Sequence, residues 1–220
     1  MSEPTLPQPP GNPRGPRAFI WVTWVTGLLA GTKRCEWAAW YRAHYKDYPK
    51  VAAQNAGMLT TWRRQHAKMV NARAELMERD GWAVTLEGDN AFKLEGRAAT
   101  LSGKPDLIAT REQIARVIDQ KTGEAKEEHG WQVRLYMWAL SKIGNFKRID
   151  GEVQYTDHSE EILADDFPPA DVAKIPAVLQ VVGGEIAPPR TPTIDECVFC
   201  DIAGCPDRLQ QKVVNARELF

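Results

Sequence analysis

The sequence is short of almost everything that would place it by composition alone. It has four cysteines in 220 residues, too few for a small disulfide-built scaffold. It has no apolar run long enough to span a bilayer. The longest, Ala18 to Ala30 (AFIWVTWVTGLLA), has 13 residues where roughly 20 are needed, and it carries two threonines and a glycine. A signal peptide is also not expected: a proline-rich stretch precedes that run and Gly31-Thr32-Lys33-Arg34 follows it. There is no excess charge of either sign, the formal net charge being −1. With 43% hydrophobic and 26% charged residues, wholesale disorder is excluded and one domain with a real core is expected. These features predict a cytoplasmic protein with no membrane partner, in which cysteines serve metal binding or catalysis before disulfides.

The small net charge hides a division. From Lys33 to Arg73 nine Lys/Arg face two acids, 9 − 2 = +7, whereas from Asp150 to Asp207 thirteen acids face two bases, 2 − 13 = −11. Two solvated faces would explain this. So would a basic, aromatic-rich region that tracks a phosphate backbone, with Arg63, Arg64, Lys68 and Arg73 as its DNA-binding candidates.

Patterning predicts α/β architecture with a central mixed sheet. Residues 1–17 hold six of the fifteen prolines and read as a disordered leader before a single domain over 18–220. From about 20 to 80 the pattern is helical. On the stretch Lys50 to Asp80, Leu59, Trp62, His66, Met69, Arg73 and Met77 fall on one face, and Gly81 is a natural stop. Strands are expected over 82–87, 91–95, 103–110, 114–121 and 149–156, with hairpin turns at Gly88-Asp89-Asn90 and at Gly96. Helices are expected over 126–143 and 170–182. Residues 187–207 read as an irregular, ligand-pinned segment. The catalytic core is placed at 81–160, and a helical subdomain at 18–80 plus 187–207.

Three constellations carry chemistry. The first is Gly103-Lys104-Pro105-Asp106 followed by Ile118-Asp119-Gln120-Lys121. On a strand Asp119 and Lys121 share a face, and Asp106 joins them if the two strands are neighbours. Two carboxylates suit Mg²⁺ or Mn²⁺, and a lysine beside them can orient water and stabilise a phosphate. By itself Asp-x-Lys is equally a surface ion pair. The second is Gln132 and Tyr136, which share a helix face and could equally be packing residues. His66 is either a hydrogen-bonded core histidine or a third ligand, with Glu87 competing for that role; His44, His129 and His158 receive no function. The third is Cys197-x₂-Cys200-x₄-Cys205 with Cys35 162 residues earlier. A 3 + 1 split is unusual for zinc, which normally takes two nearby pairs, and it favours an iron–sulfur cluster stapling the chain ends together, with Zn²⁺ as the alternative.

Together, in this order, these motifs resemble the RecB-like branch of the PD-(D/E)XK nucleases, and within it the iron–sulfur subgroup that includes CRISPR-associated adaptation exonucleases and the AddB nuclease domain. The resemblance spans about residues 20–207. It implies a restriction-endonuclease-like core and a divalent-metal-dependent deoxyribonuclease, an exonuclease on single-stranded or frayed ends, from a prokaryotic or phage source. A non-catalytic DNA-binding module of the same fold is the alternative. The resemblance also implies that Asp106, Asp119 and His66 bind metal and that Lys121 assists the attacking water. Gln132 and Tyr136 would support the site, and Cys35, Cys197, Cys200 and Cys205 would hold a [4Fe–4S] cluster. DNA is the implied partner, with protein partners in recombination or CRISPR adaptation. Two departures are visible: Asp119 stands where the family often has Glu, and His66 follows Gly57 by nine residues rather than a few.

Overall fold

The run Ala18 to Ala30, apolar on every side, is not one helix. In the computed structural model, which describes residues 11–51 and 58–210, it splits into strand β2 (Ala18–Trp21), a 3-10 turn and helix α1 (Thr26–Ala30). Ala18, Ile20, Val22, Val25 and Leu29 are all buried. A run apolar at nearly every position carries no sequence period that tells strand from helix, and β-branched residues favour the strand at its start. β2 pairs in parallel with β6 (Ala99–Gly103), which pairs antiparallel with β5 (Phe92–Glu95), forming a small three-stranded sheet.

The main sheet has five strands in the order β10 (Ser159–Ile162), β9 (Arg148–Gln154), β8 (Ile114–Gln120), β7 (Leu107–Arg111) and β4 (Ala83–Leu86). Only β8 and β9 run parallel, so the sheet is mixed as expected. Gly96 lies in the β5–β6 hairpin, but Gly88-Asp89-Asn90 makes no hairpin. It carries the chain from β4, which pairs with β7, to β5 in the other sheet. β10 was not expected: its alternate faces are mostly exposed acids.

Two helices sandwich the sheet. On one face α4 (Glu127–Ile143) buries Val133, Leu135, Met137 and Leu140 in a core shared with Val117, Ile149 and Val153. On the other, α3 (Met58–Arg79) sets Ala74 and Met77 against Leu107, Ala109 and Ile118. α3 therefore packs on the five-stranded sheet. It ends as expected at Gly81, whose φ of +82° is cheap only for glycine. Residues 52–57 of the expected helix, and the side chain of Leu59, lie outside the described residues.

A third, aromatic core holds the cysteine lobe. α2 (Glu36–His44) contributes Trp37, Trp40 and Tyr41, which pack with Tyr48 and Ile202. α5 (Pro169–Gly183) packs beside α2, and a short α6 (Ile194–Phe199) carries Cys197. α6 stands in the segment read as irregular; Thr193 and Glu196 form a reciprocal capping box at its start. The leader also departs from expectation. Asn12 and Pro13 form β1, paired with β3 (Tyr45–Lys46), and Arg14 Nε donates to the Arg42 carbonyl at 2.7 Å. Residues 1–10 of that stretch lie outside the described residues. Among the described residues no helix is long and apolar enough to cross a membrane.

Candidate active site

β7 and β8 are neighbours, and this brings the two aspartates together. Leu107 pairs with Ile118, so Asp106, one residue before β7, lies level with the end of β8. Asp106 Oδ2 accepts the Gln120 backbone N–H at 2.7 Å, which fixes its carboxylate across the strand ends. Ile118 points to the α3 side, so alternation sends Asp119 and Lys121 to the α4 side and Gln120 away from them. There Lys121 Nζ lies 2.6 Å from Asp119 Oδ2. Gln120 turns to Gln154, donating to its Oε1 at 2.7 Å.

α4 completes this arrangement with its i, i+4 pair. Lys121 Nζ donates to Gln132 Oε1 (3.1 Å), and Gln132 Nε2 donates to Asp119 Oδ1 (2.8 Å) and to the Tyr136 hydroxyl (3.2 Å). Tyr136 donates to the Lys104 carbonyl at 3.3 Å. The motif glycine acquires a reason here. A Cβ on Gly103 would stand 2.7 Å from the Tyr136 ring and 2.8 Å from both Phe92 and Val22, so only glycine lets the ring lie against the strand.

α3 delivers His66 over the strand ends. His66 Nε2 is 3.3 Å from Asp106 Oδ1 and 3.6 Å from Glu87 Oε1. Among the described residues His66, Glu87 and Asp106 alone bring three such ligand atoms within 4.8 Å of one another. His66 and Glu87, read as competing candidates, thus stand together beside Asp106. Glu87 is also paired at 2.8 Å with Lys104, a residue of the GKPD motif whose side chain no spacing singles out.

The electrostatics of this cluster call for a cation. Asp119 is fully buried, and desolvation pushes its carboxyl up to about 6, with the Asp106 charge adding to the rise and Lys121 opposing it. Asp119 Oδ2 receives no aligned hydrogen bond despite the nearby lysine, so that contact is an ion pair alone. His66 is raised, chiefly by its hydrogen bond to Asp106 and against its own desolvation. Its buried Nδ1 has no hydrogen-bond partner among the described residues. Two carboxylate oxygens facing one imidazole nitrogen need either a proton or a metal between them. Oxygen donors with one nitrogen suit a hard divalent ion, so the residues fit Mg²⁺ or Mn²⁺.

These groups line an open polar cleft of about 790 Å³, with Trp62, Arg63, Lys104, Lys126 and His129 on its walls. His129, given no function from sequence, stands 3.1 Å from the Tyr155 hydroxyl and is depressed to about 4 by burial and by the charges of Lys121 and Lys126. The basic candidates separate. Arg63, Arg64 and Lys68 are exposed on α3. Arg73 is not available to DNA: Nη2 sits 2.5 Å from Glu152, itself 2% exposed, on the face of the sheet that α3 covers. Part of the +7 segment is likewise spent internally, Arg42 and Lys50 both meeting Asp201.

The four cysteines line one cavity of about 70 Å³, together with Arg42, Glu196 and Arg208. All four are free thiols. Cys200 Sγ accepts from Arg42 Nη2 at 3.7 Å, and Cys197 Sγ from the Leu209 backbone N–H at 3.3 Å. Cys35 and Cys205 are raised, first by desolvation.

A family model of the PD-(D/E)XK nuclease superfamily matches residues 28–206, which contain His66, Glu87, Asp106, Asp119, Lys121, Gln132, Tyr136 and the four cysteines. The chain belongs to the PD-(D/E)XK nuclease superfamily. Among solved structures, the crystal structure of SSO0001 shares this nuclease's fold at a TM-score of 0.54 and 17% identity, over 88% of each chain. An alkaline exonuclease from Laribacter hongkongensis aligns over 74% of this chain and 87% of its own, at 13% identity and a TM-score of 0.39. No curated protein matches the sequence.

Proposed function

We propose that this nuclease is a divalent-metal-dependent deoxyribonuclease that works as an exonuclease on single-stranded or frayed DNA. The observation that carries the reading is the convergence of His66, Glu87 and Asp106 beside the Asp119–Lys121–Gln132–Tyr136 network. Asp106, Asp119, His66 and Glu87 would hold Mg²⁺ or Mn²⁺, which when bound supplies charge for the scissile phosphate and acidifies a water. Lys121 Nζ stands at the edge of the cleft, where it steadies the attacking water and the charge that builds on the phosphate. Gln132 locks Lys121 and Asp119 at a fixed separation, and Tyr136 anchors Gln132 to the strand. Arg63, Arg64 and Lys68 on the rim favour a polyanion.

The four cysteines are proposed to hold a [4Fe–4S] cluster. Cys35 stands 162 residues before Cys197, and this 3 + 1 split, unlike the two nearby pairs usual for zinc, favours the cluster. An anaerobically purified brown protein supports this assignment, and a colourless one with stoichiometric zinc refutes it. The activity is tested by a time course on end-labelled single- and double-stranded DNA with Mg²⁺ or Mn²⁺. Processive shortening from one end, lost in Lys121→Ala, is expected. Uncut DNA with every metal, or Lys121→Ala matching the unaltered protein, defeats it. Cutting at internal positions of circular DNA would replace the exonuclease reading with an endonuclease. Recombination and CRISPR adaptation complexes are the proposed settings for such an activity.

A further inference from the structure

Trp62 was expected on the apolar face of α3. It stands instead at the mouth of the cleft, 46% exposed, while Ala74 and Met77 further along the same helix are buried against the sheet. Its ring is nonetheless held. It stacks on His66 with centroids 5.2 Å apart and planes 15° from parallel, and among the described residues His66 is its one ring partner. His66 in turn is fixed by Asp106 and Glu87. One face of the indole is therefore pinned by the metal-ligand cluster, and the exposed surface borders a cleft where Arg63, Lys104, Lys121 and Lys126 stand among the carboxylates of Glu87, Asp106, Asp119 and Glu124.

We infer that Trp62 is a stacking platform for an unpaired nucleobase next to the reacting phosphate. This rests on the deoxyribonuclease reading. The chemistry at the mouth matches the two halves of a nucleotide: a flat aromatic surface for the base, and cations within the same cleft for the phosphates. A base inside a duplex already has a neighbour on each side. Only a single-stranded or terminal base offers a free face, so the platform selects for unpaired ends. Because the indole rests on His66, a base stacked on it lies about one nucleotide from the carboxylates. Stacking of this kind contributes about 1–3 kcal/mol per base, equivalent to roughly 5- to 150-fold in affinity.

The test uses the full chain with Lys121→Ala to stop turnover, in Mn²⁺, and a single-stranded oligonucleotide carrying terminal 2-aminopurine. Binding should quench the probe, Trp62→Phe should keep most of the quench, and Trp62→Ala should lose it and bind about tenfold more weakly. Binding to blunt duplex should change less than twofold. With Lys121 intact, Trp62→Ala should raise KM on single strands and leave kcat within about threefold. Mn²⁺ affinity, read by titration without DNA, should be unchanged. If quench and affinity survive in Trp62→Ala, or if Mn²⁺ affinity falls with them, the platform is refuted; in the second case Trp62 merely props His66. If the unaltered protein itself neither binds nor cuts DNA, the parent reading has failed and takes this inference with it.

Discussion

Glu196 grips Cys35 by its backbone. One carboxylate oxygen accepts the N–H groups of Arg34 at 2.6 Å and Cys35 at 3.0 Å, while the other accepts the Thr193 N–H at 2.7 Å that begins α6. A single carboxylate thus ties the lone N-terminal cysteine to the helix that carries Cys197. These three donors hold its carboxyl below the usual range against the opposing effect of burial. The same loop reaches α4, since Thr32 Oγ1 donates to Glu128 at 2.6 Å on its first turn.

Glu196→Ala should therefore do more than shorten a cap. Losing a charged acceptor of several N–H groups costs about 1–3 kcal/mol, a Tm decrease of roughly 2–10 °C for a chain of this size. Iron content after anaerobic purification should fall together with Tm. Normal iron content in a destabilised variant would separate the cap from the cluster.

Gly103→Ala tests the packing of the motif strand. The new methyl would meet Tyr136, Phe92 and Val22 at under 3 Å, and overpacking of this kind costs about 1–3 kcal/mol. Pushing Tyr136 away also loosens Gln132, so cleavage should fall more than tenfold while Mn²⁺ affinity changes little. Melting curves and cleavage rates together check this, because a purely structural cost would lower Tm and leave the rate of the folded fraction intact.

The contrast between residues read correctly and incorrectly is a contrast between local and distant causes. The α4 pair and the Asp119–Lys121 alternation follow from helix and strand periods, so their faces were legible. The capping box of α6 was also written in the chain as Thr193-x-x-Glu196, and it went unread in a cysteine-rich stretch. By contrast, Gly88-Asp89-Asn90 has the composition of a hairpin turn. What decides otherwise is the pairing of Leu86 with Leu107, twenty-one positions away. Arg73 shares the periodicity of His66, and only the buried Glu152 on β9 reveals that it is an internal partner. Nothing within α3 announces where the sheet stops covering it, which is why Trp62 looked like core.

That distinction gives a paired prediction. Arg73→Ala leaves Glu152 buried with only the longer 3.5 Å contact to Arg116, and breaking a buried pair costs about 3–5 kcal/mol. Its folded fraction should bind DNA normally. Arg63→Ala and Lys68→Ala should leave Tm within about 1 °C, weaken DNA binding, and each reduce the slope of log affinity against log salt by about one unit. An unchanged slope would remove that residue from the DNA path.

The acid pair makes the pH dependence of metal loading predictable. In the metal-free protein Asp119 binds its proton up to about pH 6, above its ordinary value of 3.8, because burial disfavours the charge. A raised carboxyl contributes stability that is fully present below 3.8 and is lost as pH rises through about 6. The metal-free protein is thus burdened by Asp119 at neutral pH, and a divalent cation relieves the burden by neutralising the charge there. The rise of Tm on adding Mn²⁺ should be small at pH 5 and large at pH 8. Cleavage should lose activity below about pH 6, as protons compete for the same carboxylate. In Asp119→Asn the metal-free protein should be less sensitive to pH across this window and should gain little from Mn²⁺. An equal Mn²⁺-induced shift at pH 5 and pH 8 in the unaltered protein would mean that Asp119 takes no part in holding the ion.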